Sequence, residues 1–183
     1  MPSNLKRYER IAPFYDLLDL PFEYRRYRRI RPLLFAGLSG RVLDVGVGTG
    51  RNIEFYPHGA SVVGIDFSPA MLAYARRRIT FSASASVELK EMDVTRLDFL
   101  SDSFDGAVAT FLFCVLPEDQ QVVALRELAR VVKAGGIIRL WVVNNCARCR
   151  RSNFGSSGRI EQCDRACVFL GTCQSLIALL YVM

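Results

Sequence analysis

A short apolar stretch, Arg41-Val42-Leu43-Asp44-Val45, runs straight into the turn Gly46-Val47-Gly48-Thr49-Gly50. Glycine lets the backbone bend tightly and lets a ligand approach without meeting a Cβ. A second apolar run, Ser61-Val62-Val63-Gly64-Ile65, ends at Asp66. That is the spacing at which an acidic side chain accepts hydrogen bonds from a ribose. The pair of features predicts a strand–turn–helix unit whose ligand contains a nucleoside.

Three further runs follow: Ser86-Val87-Glu88-Leu89-Lys90, then 106–116 and 136–143. Helical stretches separate them. Ser68-Pro69 suits a helix start, the serine as N-cap and the proline at the first helical position, with 70–78 following. Pro117-Glu118-Asp119 opens another helix, with Val122, Leu125, Leu128 and Ala129 on one face and Gly135-Gly136 at its end. Residues 4–38 read as helical, interrupted at Pro13 and Pro32. Apolar strands alternating with helices predict an α/β fold, a doubly wound and mostly parallel sheet covered on both faces. The organisation read from the chain is a helical cap over 1–40, an α/β core over 41–143 and an atypical cysteine-rich tail over 144–183.

The chain has 183 residues, enough for one core, and 23% charged against 51% apolar residues exclude disorder and collagen-like repeats. The polar first nine residues show no secretory signal, and the apolar runs 107–116 and 176–183 are shorter than the roughly 20 residues of a membrane span. A cytoplasmic protein is expected, with its six cysteines as reduced thiols.

The dinucleotide fingerprint Gly-x-Gly-x-x-Gly puts its third glycine where this chain has Arg51; here it is Gly50. Asp44 also lies two positions before the first glycine. A carboxylate there fits a ligand with a positive amino group better than a pyrophosphate.

Asp44-x-Gly46-x-Gly48-x-Gly50 resembles the first motif of class I S-adenosylmethionine-dependent methyltransferases. Val62 to Ser68 resembles their second strand, Met92-Asp93-Val94 their adenine-contacting segment, and Phe104-Asp105 through Leu116-Pro117 their fourth strand. Lys133-Ala134-Gly135-Gly136 resembles the turn into their fifth, and Ala12-Pro13-Phe14-Tyr15-Asp16 an element of the subgroup acting on quinones, phospholipids and other small molecules. The resemblance implies S-adenosyl-L-methionine as cofactor. Gly46, Gly48 and Gly50 would wrap its methionine part, with Asp44 orienting that turn. Asp66 would hold the ribose hydroxyls, Phe67 would pack on adenine, and Asp93 would accept from the adenine amino group beside Val94. Tyr15 would close over the methionine end, or serve as a core aromatic.

Methyl transfer by direct displacement needs alignment and desolvation, and a base only when the nucleophile must lose a proton. No base is evident: His58 reads as a surface loop residue, and the catalytic residue stays unassigned. Thr110, Phe111, Phe113 and Cys114 come near the end of the fourth strand, where a substrate-facing wall is expected. Phe111 or Phe113 also suits the core.

Net charge is +6, with both ends basic. The run Tyr24-Arg25-Arg26-Tyr27-Arg28-Arg29-Ile30-Arg31 is a solvated helix face first, and secondly a surface for peripheral contact with an anionic membrane. Nucleic acid is not expected, since no RNA-binding motif accompanies it. The acceptor expected is a small or lipid-like molecule. Residues 144–183 depart from the family: the C-terminal strands are expected to be missing or altered. Cys146, Cys149, Cys163 and Cys167 form a loose set without histidine, so no metal is expected. Two other readings stay open, a nicotinamide-dependent oxidoreductase and a truncated, non-catalytic remnant that binds cofactor.

Overall fold

The computed structural model describes residues 27–79, 85–142, 167–172 and 175–182. Helix α1 (Arg28–Phe35) leads into β1 (Arg41–Val45), and a 3-10 turn (Ile53–Phe55) precedes β2 (Ser61–Asp66). Then come α2 (Pro69–Ile79), β3 (Ser86–Glu91), β4 (Phe104–Thr110), α3 (Leu112–Val115), α4 (Glu118–Val131), β5 (Val132–Val142), β6 (Cys167–Thr172) and β7 (Ser175–Tyr181).

The seven strands form one sheet in the order β3-β2-β1-β4-β5-β7-β6. The first five are parallel, while β7 runs antiparallel to both β5 and β6. The strand order reverses between β1 and β4. Such a switch point opens a crevice beyond the carboxyl ends of the strands, where ligands bind in sheets of this kind.

Strand alternation divides the core in two. Leu43, Val45, Val63, Ile65, Ala107 and Ala109 face one layer with Leu128 and Val131 of α4. Val42, Val62, Val108 and Trp141 face the other, with Leu34 and Phe35 of α1 and Ala75 of α2. Each fully buried Val, Leu, Ile or Phe among these contributes about 1.5–3 kcal/mol relative to exposure. Asp44 shares the second face with Val42 and is fully buried among these apolar groups.

Several expectations change. The fourth apolar run is not one strand: β4 stops at Thr110, Phe111 turns with φ 62°, and α3 begins. Gly135-Gly136 does not end the helix. Helix α4 stops at Val131 and β5 starts at once, with Gly135 (φ 81°) donating from its amide to the Val182 carbonyl. The buried face of α4 is Ala124, Leu128 and Val131; Val122 is 51% exposed and Leu125 and Ala129 are half-buried. Only Leu128 of the expected four is fully buried. Pro32 sits within α1 and does not interrupt it. Nor is the end of the basic run a solvated face: Arg28 and Arg29 are exposed, but Arg31 is 4% exposed and belongs to the interior. Strands are not missing from the C-terminal region, because β6 and β7 pair there and β7 extends the sheet beyond β5. Tyr15, the segment 12–16, and Cys146, Cys149, Cys163 and Cys173 lie outside the described residues. Among the described residues no helix is long and apolar enough to cross a membrane, and no His/Cys/Asp/Glu group could hold a metal ion.

Candidate functional site

A cavity of about 270 Å³ opens at the switch point. Its wall is built from the glycine turn after β1 (Gly46, Gly48), the end of β2 (Asp66, Phe67), the segment after β3 (Met92, Asp93, Val94) and the end of β4 with α3 (Thr110, Phe111, Leu112, Val115). Four strand ends thus converge because β3, β2, β1 and β4 are parallel neighbours.

The turn depends on backbone that only glycine adopts easily: Gly46, Gly48 and Gly50 have φ of 72°, 56° and 83°. Their tasks differ. A Cβ on Gly48 would find only the Gly46 carbonyl, 4.0 Å away, so it would project into open space beside the cavity. A Cβ on Gly50 would lie 2.6 Å from Ile53 Cδ1 and 2.9 Å from Ala75 Cα, so this glycine lets α2 approach. Gly50 therefore supports the turn from behind and does not line the cavity.

Asp66 closes the turn onto β2. Its Oδ2 accepts from the Gly48 amide at 2.9 Å and its Oδ1 from the Ser68 amide at 2.9 Å. Burial pushes its pKa up, and the Ser68, Gly48 and Phe67 amides pull the other way. The carboxylate is thus fixed in orientation at the cavity wall with room to accept further donors. Asp93 is held similarly, its Oδ1 accepting from the amide and the hydroxyl of Thr95 at 2.8 Å each. Val94 is buried beside it, and Phe67 is half-buried on the adjacent wall.

Asp44 is placed differently. It does not line the cavity but sits beneath the turn, fully buried. Tyr56 Oη donates to its Oδ2 at 2.7 Å, and Asn52 Nδ2 donates to both carboxylate oxygens at 3.1 Å. Burial raises its pKa to about 6, against the two hydrogen-bond donors and the Arg31 charge. The same burial, with the Asp44 charge, holds the Tyr56 hydroxyl well above its ordinary value. Asp44 thus lies behind the glycine turn, separated from the cavity lining.

On the β4 side, Phe111 is a non-glycine residue in the left-handed region, a costly conformation that clusters at functional sites. Its amide donates to the Trp141 carbonyl at 2.8 Å, and its ring lies 4.5 Å from Trp141 and 4.8 Å from Tyr27. Phe113 points into the core, Cys114 is exposed, and His58 is an exposed loop residue. Sequence reasoning missed Asn52, Tyr56 and Arg31. The first two carry no pattern of their own, and Arg31 was concealed in a run that reads as surface charge. It also missed the apolar lining from Met71 and Leu112.

A family profile described as a methyltransferase domain matches residues 42–136. Phosphatidylethanolamine N-methyltransferase of Cereibacter sphaeroides is 47% identical over 111 residues, covering 60% of this chain and 53% of that protein. Demethylmenaquinone methyltransferase of Thermus thermophilus is 37% identical over 136 residues, 70% of this chain and 60% of that one. The chain thus spans little more than half the length of these curated relatives. Among solved structures, the DhpI–SAH complex superposes with a TM-score of 0.74 at 19% identity, over 99% of this chain and 96% of that one. A SAM-dependent methyltransferase from Aquifex aeolicus gives 0.68 at 17% identity, over 100% and 99%. These two likenesses show the fold.

Proposed function

The chain belongs to the methyltransferase-domain family, and from that premise we propose that it binds S-adenosylmethionine and transfers its methyl group to a small or lipid-like acceptor. The carrying observation is Asp66, clamped by the Gly48 and Ser68 amides at the cavity wall. A carboxylate fixed there accepts from the two hydroxyls of a ribose. Gly48 supports the same reading, since a Cβ there would enter space that a ligand needs.

Asp93 and Val94 suit the adenine edge, with Phe67, Met71 and Met92 supplying apolar contact. The cofactor brings a methyl group on a positively charged sulfur, already bearing its leaving group. The protein's part is then to bind, align and exclude water. Thr110 and Phe111 form the wall facing that end, and an aromatic face tolerates a cation. Asp66 and Asp93 are the ionisable side chains among the described lining residues, and both belong to the nucleoside end. This suits an acceptor that attacks through a lone pair without first losing a proton.

Relatives named for phosphatidylethanolamine and demethylmenaquinone support an apolar or lipid-like acceptor. The exposed Arg28 and Arg29 of α1 support, more weakly, peripheral contact with an anionic membrane. Family membership favours the methyl donor over a nicotinamide cofactor.

Thermal unfolding with S-adenosylhomocysteine, with NAD as comparison and Asp66→Ala as control, tests the proposal. At 100 times its dissociation constant a ligand adds about 2.7 kcal/mol of stability. A shift with S-adenosylhomocysteine that Asp66→Ala abolishes supports it; a shift with NAD alone refutes it. Binding without transfer to any amine or quinone acceptor would favour the cofactor-binding remnant.

A further inference from the structure

The polar side chains buried beneath the glycine turn form one hydrogen-bonded chain with Asn52 at its centre. Asn52 Nδ2 donates to the Asp44 carboxylate and, at 3.1 Å, to Thr110 Oγ1. Its Oδ1 accepts from Arg31 Nη1. Arg31, Asp44, Asn52 and Thr110 are all less than a tenth exposed. A primary amide has a donor face and an acceptor face. Here the donor face meets an anion and the acceptor face meets a cation, which no aspartate, leucine or lysine would reproduce at neutral pH.

The connection spans four chain segments: α1 through Arg31, β1 through Asp44, the exit of the glycine turn through Asn52, and the end of β4 through Thr110. Two of these strands flank the switch point. The backbone on either side of Asn52 is bonded to the turn, the Gly50 amide donating to the Val47 carbonyl at 3.0 Å and the Ile53 amide to the Gly50 carbonyl at 3.1 Å. Thr110 lines the cavity and precedes the strained Phe111, while Asn52 itself does not line it.

We infer that Asn52 is a positioning residue for the cofactor: through Asp44, Arg31 and Thr110 it holds the glycine turn in register with α1 and with the end of β4. The inference rests on the cofactor reading above.

Asn52→Asp tests it. A protonated carboxyl keeps one donor and one acceptor and so can replace the amide bridge. Once ionised it sets a second buried negative charge against Asp44. The other charged or titratable groups facing this pair are Arg31 of α1, Tyr56 after the 3-10 turn and Asp66 of β2. Arg31 and the Tyr56 hydroxyl favour ionisation, and Asp66 opposes it.

Affinity for S-adenosylhomocysteine is measured by calorimetry for variant and wild type at pH 5.5 and pH 8. The ratio at each pH cancels titration common to both proteins. The variant should bind within about threefold of wild type at pH 5.5 and about tenfold or more weakly at pH 8, one pKa unit of differential interaction being a factor of ten. Equal ratios at the two pH values, or wild-type affinity at pH 8, overturn the inference. If the variant does not unfold cooperatively at pH 8, Thr110→Val carries the test, because it is isosteric and removes one acceptor from Asn52. It should weaken binding about threefold or more at both pH values, a loss of one modest hydrogen bond; unchanged affinity overturns the inference. A wild type that binds no S-adenosylhomocysteine overturns the cofactor reading and this one together, whereas wild-type binding with unchanged ratios overturns this one alone.

Discussion

The Tyr56 hydroxyl donates to Asp44 at 2.7 Å in a site closed to solvent, so an ionisable group under the glycine turn depends on a partner twelve residues along the chain. The Asp44 pKa is raised from 3.8 to about 6, chiefly by burial. Its ionisation therefore opposes folding: its contribution is present below the unfolded value and is lost as pH rises through about 6. The Tyr56 bond stabilises the ionised form and limits that loss. Tyr56→Phe should consequently cost about 1 kcal/mol at pH 4.5 and about 1.5–3 kcal/mol at pH 8, the difference between a neutral and a charge-assisted hydrogen bond. Urea unfolding at both pH values decides; equal losses would mean that Asp44 does not titrate between them.

Asp66 couples pH to ligand binding with the opposite outcome. Burial raises its pKa, and only the ionised carboxylate accepts from two hydroxyls at once. Affinity for S-adenosylhomocysteine should fall as pH drops through the Asp66 pKa. Asp66→Asn should bind about 10- to 100-fold more weakly at pH 8, the equivalent of a charge-assisted hydrogen bond of about 1.5–3 kcal/mol, and lose that pH dependence. Titration calorimetry from acidic pH up to pH 8 shows both effects, and a persistent pH dependence in Asp66→Asn would point to another group.

Two glycines separate backbone strain from ligand space. Gly48 and Gly59 both have positive φ, 56° and 75°, so alanine at either should cost about 1–2 kcal/mol of stability. Gly59 lies in an exposed turn with nothing within 4 Å of an added Cβ, whereas Gly48 borders the cavity. Gly48→Ala should also weaken S-adenosylhomocysteine binding, and Gly59→Ala should leave it unchanged. Paired melts and binding isotherms compare them; matched affinities would remove Gly48 from the site.

The face of α4 is open to a stability test. Leu128 is fully buried and Val122 is 51% exposed. Leu128→Ala should destabilise by about 2–5 kcal/mol, and Val122→Ala by no more than about 0.5 kcal/mol. Chemical denaturation with an unchanged m-value would establish the contrast.

Much of this was legible in the chain because it is written locally. Strand alternation, the glycine spacing from Gly46 to Gly50 and the Ser68-Pro69 helix start each need only a few neighbouring residues. Gly46, Gly48, Asp66, Phe67, Asp93 and Val94 line one cavity, since parallel strands bring their carboxyl ends together. The face of α4 was misjudged because consecutive apolar residues, Val122 to Leu125, leave its direction undetermined until the sheet is placed.

What tertiary structure alone decided is the assignment of polar residues to the interior. Arg31 in a basic run, Asn52 after a glycine turn and Tyr56 before a loop are ordinary surface residues by composition. Their burial follows from α1 packing over the β1–β4 switch point, where a charged group can stay only if partners from distant segments satisfy it. The same logic parts Asp44 from Asp66. Both lie in apolar strands, but Asp44 within β1 faces into the core layer and Asp66 at the end of β2 stands at the cavity wall. That difference is one of strand register and cover, which a local sequence pattern does not contain.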